Sequence, residues 1–153
     1  MSSVQSRLLE MTAAHIRLLT ELDEVLGAET DALAARQLVP LREATDRKNE
    51  LLGQLEGLGQ QFSALCKEGG IEPRNGHLIG AEVTAVMADA WSRMCRLLEN
   101  CQQKNRMNGI TINASRNFAE NLLALLQGQT PTKTYGKSGT VYRDSNVTAL
   151  GSA

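Results

Sequence analysis

The feature that most constrains this chain is a row of apolar residues recurring at alternating spacings of four and three. In the first 35 residues the row is Val4, Leu8, Met11, His15, Leu18, Leu22 and Val25. Such a heptad seam comes onto one face only in an α-helix. Leu9, Ile16, Leu19 and Leu26 widen the stripe on one flank, so this helix is expected to touch two partners. Ser2 with Gln5 resembles a capping box at its start. A second seam runs through Leu41, Ala44, Lys48, Leu51, Leu55, Leu58, Phe62 and Leu65, with Pro40 expected at the first helical position. Lys48 is the one charged residue of that row and is expected to snorkel from the seam edge. Gly69-Gly70 supplies the left-handed cap that ends the helix.

A third helix is expected after Pro73, with Asn75 as its N-cap. Its row is Val83, Met87, Ala90, Met94, Leu97 and Cys101, with Trp91 and Leu98 on the flank. The row turns polar at Asn105 and Asn108, followed by Gly109. It then resumes through Ile112, Ser115, Ala119, Leu122 and Leu126, with Phe118 and Leu125 beside it. Asn in an apolar seam fixes register or oligomer state, and Asn-Gly can equally interrupt a helix.

Composition supports the same fold class. Apolar residues are 42% of 153 and aromatics only 3%, which suits a core of Leu and Ala better than a sheet. The expectation is an all-α, elongated antiparallel bundle of three long helices with coiled-coil-like packing over 1–128. Residues 129–153 have no helical period and are rich in Gly, Thr and Ser, so they read as a flexible tail.

Several functions are disfavoured. The formal net charge of −1 argues against phosphate-driven nucleic-acid binding. No run approaches the roughly 18 apolar residues of a membrane span, and the N-terminus lacks a signal peptide, so a cytoplasmic location is expected. Cys66, Cys95 and Cys101 form no CxxC pair and are expected to be reduced thiols in apolar stripes. His15 and His77 lie in different elements, so no metal, cofactor or catalytic centre is expected. Charge is uneven: residues 1–68 hold 7 Lys+Arg against 11 Asp+Glu, while the tail holds 3 against 1.

Helix lengths then conflict. The first two helices span roughly 45–50 Å, and a continuous third one from Gly76 to Gln127 would span roughly 78 Å. The hairpin covers the third helix only to about Asn105–Gly109. Three outcomes follow for the row from Ile112 to Leu126. The helix breaks at Asn108-Gly109 and folds back as a fourth; it projects and forms a homodimer; or it offers its strip to another protein's amphipathic helix.

The run from Trp91 through Asn105, Asn108 and Gly109 resembles the Trp…Asn-x-x-Asn-Gly signature of flagellar export chaperones of the FlgN type. Thr134-Tyr135-Gly136-Lys-Ser-Gly139 resembles that family's Tyr-Gly-x-x-Gly motif, and Lys48 with Leu51 its Lys-x-x-Leu element. Arg47 stands where the family pattern leads one to expect an acidic residue. The resemblance implies a chaperone of type III flagellar secretion, without enzymatic activity, that binds the C-terminal helices of hook–filament junction proteins of the FlgK/FlgL type. It implies delivery to the cytoplasmic domain of the export-gate component FlhA. It also links the C-terminal helix to cargo, through Ile112, Phe118, Leu122, Leu125 and Leu126, and the tail motif Tyr135, Gly136 and Gly139 to gate docking. A coiled-coil adaptor acting by homo-oligomerisation is the alternative.

Overall fold

The computed structural model describes residues 3–128, together with the backbone of 133–135 and 141–143. Three helices carry the architecture: α1 (Ser3–Ala35), α2 (Leu38–Glu68) and α3 (Ala85–Leu126). A two-stranded ladder of β1 (Glu72–Arg74) and β2 (His77–Ile79) lies between α2 and α3, and β3 (Lys133–Tyr135) pairs with β4 (Val141–Arg143) after α3. The chain forms two compact units, 1–104 and 105–153, whose boundary falls within α3.

Local chemistry explains each boundary. α1 ends in a Schellman motif: the Gln37 amide donates to the Ala32 carbonyl at 3.0 Å and the Arg36 amide to Leu33 at 3.2 Å. Arg36 takes the left-handed conformation, with φ of 54°. α2 ends the same way, with the Ile71 amide on Cys66 at 2.8 Å and Gly70 at φ of 62°. The expected Gly69-Gly70 stop therefore holds, and Ile71 drops into the core to seal it. Thr84 caps the start of α3: its hydroxyl accepts from the Met87 amide at 3.3 Å. It ends at Gly128, at φ of 73°.

Two expectations need correction here. α2 begins at Leu38, so Pro40 occupies its third position; the first four helical amides lack intrahelical acceptors, and proline is tolerated there. The capping box expected of Ser2 with Gln5 reaches outside the described residues; the Gln5 side-chain amide donates to the Glu82 carbonyl at 2.8 Å and side chain at 2.9 Å, tying α1 to the segment before α3. Asn75 is no helix cap. Asn75 and Gly76 have φ of 50° and 78° and form the two-residue turn of the β1–β2 hairpin, in register Arg74↔His77. Asn-Gly is the strongest short-range hairpin signal, since both central residues of that turn need positive φ. In the tail, which has no helical period, β3 and β4 pair antiparallel, Lys133↔Arg143 and Tyr135↔Val141.

Within unit 1–104 the core has two clusters. Leu8, Phe62, Leu65, Cys66, Ile71 and Met87 form the first; Leu19, Leu22, Leu26, Leu51, Met94 and Cys101 the second. Both draw on all three helices, so α1 does bury two flanks, as its widened stripe indicated. Trp91 joins the clusters, stacked on Phe62 at 5.3 Å between ring centroids and 15° between planes. His15 meets the Phe62 ring edge-on at 5.7 Å. Its Nδ1 lies 2.9 Å from the Met11 carbonyl, so it serves as a core residue.

Lys48 departs from expectation. It does not snorkel; its side chain is 13% exposed and ion-paired at 2.9 Å with Glu29, which is fully buried. The neighbouring Arg47 bridges Glu21 of α1 and Glu50 of α2, an arrangement that an acidic residue at 47 could not make.

Candidate functional site

Helical periodicity places residues three and four apart on one face, and α3 sustains that periodicity for 42 residues. It does not break at Asn108-Gly109. Asn108 is buried within continuous helix, and a Cβ added at Gly109 would meet nothing within 4 Å. The fold-back into a fourth helix is therefore excluded. Asn105 is exposed, and Trp91 belongs to the core of unit 1–104.

The part of α3 in unit 105–153 carries the site. Phe118, Leu122, Leu123, Leu125 and Leu126 are all exposed, as are Met107 and Ile110. Four of the five apolar residues singled out from the sequence are thus on the surface. The fifth, Ile112, is half-buried. All of the row Ile112, Ser115, Ala119, Leu122 and Leu126 but Ile112 is exposed, and the solvent face extends around the helix beyond that row. Its spine is Met107, Thr111, Ala114, Phe118, Leu122 and Leu125, every one exposed and spaced by threes and fours. From Met107 to Leu125 this seam runs roughly 27 Å, five helical turns. Sequence reasoning missed Met107 and Ile110 because the polar residues around them masked the phase. The spacing from Met107 to Phe118 was the available signal.

Chemically the face is a strip of apolar side chains open to solvent along one helix. It has apolar knobs and no catalytic groups. Such a surface gains free energy when another apolar helix face covers it, through removal of hydrocarbon from water. Two amides of the same stretch, Asn108 and Asn117, are buried.

Other site types find little support. Among the described residues no three His, Cys, Asp or Glu side chains stand together as metal ligands. No described helix is long and apolar enough to cross a membrane. The thiols are all held above their usual range: Cys66 by burial, Cys95 by burial and the nearby Glu99 charge, and Cys101 to about 11 by burial and Asp23. Cys101 also donates to the Leu19 carbonyl at 3.4 Å. They are packing residues rather than nucleophiles.

For the tail motif the structure gives backbone only at Tyr135, the last residue of β3. Its side chain, and Gly136 and Gly139 altogether, lie outside the described residues.

Comparison with known proteins adds the family. The family model described as FlgN protein matches residues 1–143. No curated protein and no solved structure matches the chain.

Proposed function

Because this chain belongs to the FlgN family, and so to the flagellar export chaperones, we propose that the exposed face of α3 is where it holds its cargo. The observation that carries this reading is the exposed seam from Met107 to Leu125, continued at Leu126. The cargo is the C-terminal amphipathic helices of hook–filament junction proteins of the FlgK/FlgL type. Unescorted, such helices would associate through their apolar faces. Covered by α3, they stay monomeric and competent for type III export. The chaperone acts in the cytoplasm and performs no reaction.

Delivery to the gate rests on the tail. Residues 1–128 form the cargo-holding region and 129–153 the docking segment. Tyr135, with Gly136 and Gly139, engages the cytoplasmic domain of FlhA. A tyrosine joins a rigid apolar ring to a polar tip, which suits an anchor in a transient interface.

The test is isothermal titration of the full chain with purified C-terminal segments of the junction proteins. Saturable binding with a negative heat-capacity change is expected, the mark of apolar burial. Absence of binding to either segment at high micromolar concentration would overturn the cargo assignment. A homodimer mediated by the same face, seen by sedimentation with no cargo binding, would favour the adaptor alternative.

A further inference from the structure

We propose that Glu29, Lys48 and Thr45 form a register lock for the α1–α2 hairpin. Glu29 accepts from Lys48 Nζ at both carboxylate oxygens, 2.9 and 3.1 Å, and from the Thr45 hydroxyl at 3.0 Å. The cluster sits within the apolar seams, not at their rim: Leu26 and Leu51, the adjacent seam residues, are fully buried.

Heptad seams are ambiguous in register. Two leucine seams can pair in any register that differs by seven residues, because apolar residues replace apolar residues. The observed register brings His15 to Phe62 and, two heptads on, Glu29 to Lys48. Shift α2 by one heptad in one direction, and Leu22 meets Phe62 while Leu26 meets Leu58. In the other, Leu8 meets Phe62 and Leu19 meets Leu51. The leucines of the middle turns accept both, although the first leaves Leu8 and Met11 beyond the end of α2, and each moves the interhelix turn by only three or four residues.

Glu29 accepts neither. In the first shifted register it faces Leu55, in the second Leu41. Lys48 would face Arg36 or Leu22. Either way a carboxylate is buried with no cation, which proteins avoid at large cost. The buried Glu29–Lys48 pair therefore discriminates among packings that the leucines leave nearly equivalent, and the half-exposed Arg47–Glu21 bridge belongs to the same register. Met94 and Cys101 of α3 belong to the same buried cluster as Leu26 and Leu51, so α3 packs on the register that the pair sets.

The test uses the full chain with spin labels on genetically encoded ketone side chains at Glu10 and Glu43. Both sites are exposed, near opposite ends of the hairpin, and Cys66, Cys95 and Cys101 are left untouched. A one-heptad slip changes the label separation by about 10 Å. The unsubstituted protein should give one distance by electron–electron double resonance. E29L with K48L should stay helical, with unchanged or higher melting temperature, yet show added components displaced by about 10 Å. The reversed pair, E29K with K48E, should return to a single distance. A folded E29L/K48L protein with only the native distance overturns the proposal. So does its failure to fold, since the pair would then hold the hairpin together rather than choose its register. A folded reversed pair with several distances overturns it as well.

Discussion

Replacing Leu122 and Leu126 by aspartate tests the cargo face most directly. These residues are 47% and 78% exposed, and Phe118 and Leu125 are 71% and 62% exposed. Full burial of a large apolar side chain is worth about 1.5–3 kcal/mol. Scaled by those exposures, complete coverage of the four by a partner helix is worth roughly 4–8 kcal/mol, a ceiling that costs of association reduce. Leu122 and Leu126 together account for roughly 2–4 kcal/mol of it, or about 25- to 600-fold in Kd. The new carboxylates add a desolvation cost, so this is a lower bound for the double variant. Stability should change little, because both side chains already face water; surface substitutions typically fall within about 0.5 kcal/mol each. The assay is calorimetric titration with a junction-protein C-terminal segment, alongside circular dichroism and thermal melting. Leu38→Asp with Val39→Asp is the control. It removes a comparable apolar exposure, 68% and 67%, at the α1–α2 turn. The α3 variant should lose at least about 25-fold in affinity with helicity retained, and the control should bind within twofold. Equal affinity for the two variants would refute the reasoning, since exposure alone would then not locate the cargo.

Three further outcomes are expected. Tyr135→Ala should weaken binding to the FlhA cytoplasmic domain by at least about tenfold while leaving cargo affinity unchanged, measured by biolayer interferometry; normal gate binding would remove the tyrosine from the docking role. Phe62→Ala should destabilise the fold by about 3–5 kcal/mol in urea titration, because it empties the site between His15 and Trp91; a loss under about 1 kcal/mol would mean that the stack is not a core element. The third concerns alkaline pH. Cys101 is held at about 11 in the fold against 9.0 for the free thiol, so the unfolded chain releases its proton first as pH rises. Its contribution to stability is intact below pH 9 and declines between 9 and 11. The melting temperature of the unsubstituted protein should therefore fall more steeply over that interval than that of Cys101→Ala. Parallel slopes would show that the thiol is not protected.

Much of the candidate face was legible because it is a property of one helix. Phe118, Leu122, Leu125 and Leu126 share a side of α3 through the helical period, and helix lengths alone led to the expectation that they are exposed. Ile112 lies half-buried at the edge of that face, because periodicity groups residues on a helix side without fixing how far each is covered. The β1–β2 hairpin is a different kind of miss. Asn75-Gly76 is a local signal, outweighed in the reading by the habit of asparagine as a helix cap.

The sequence by itself determined what is periodic or local: three helices, the Gly69-Gly70 stop, an aromatic-poor core and a family signature from Trp91 to Gly109. The tertiary structure decided what faces what. Lys48 looked like a seam-edge lysine until α1 supplied Glu29, 19 residues away in the chain. Arg47 looked like a departure from pattern until Glu21 and Glu50 flanked it. The physical reason is common to these cases. A repeat tells which residues share a helix face, modulo seven. It takes a contact across the interface, specific in charge and distance, to choose one register from the set.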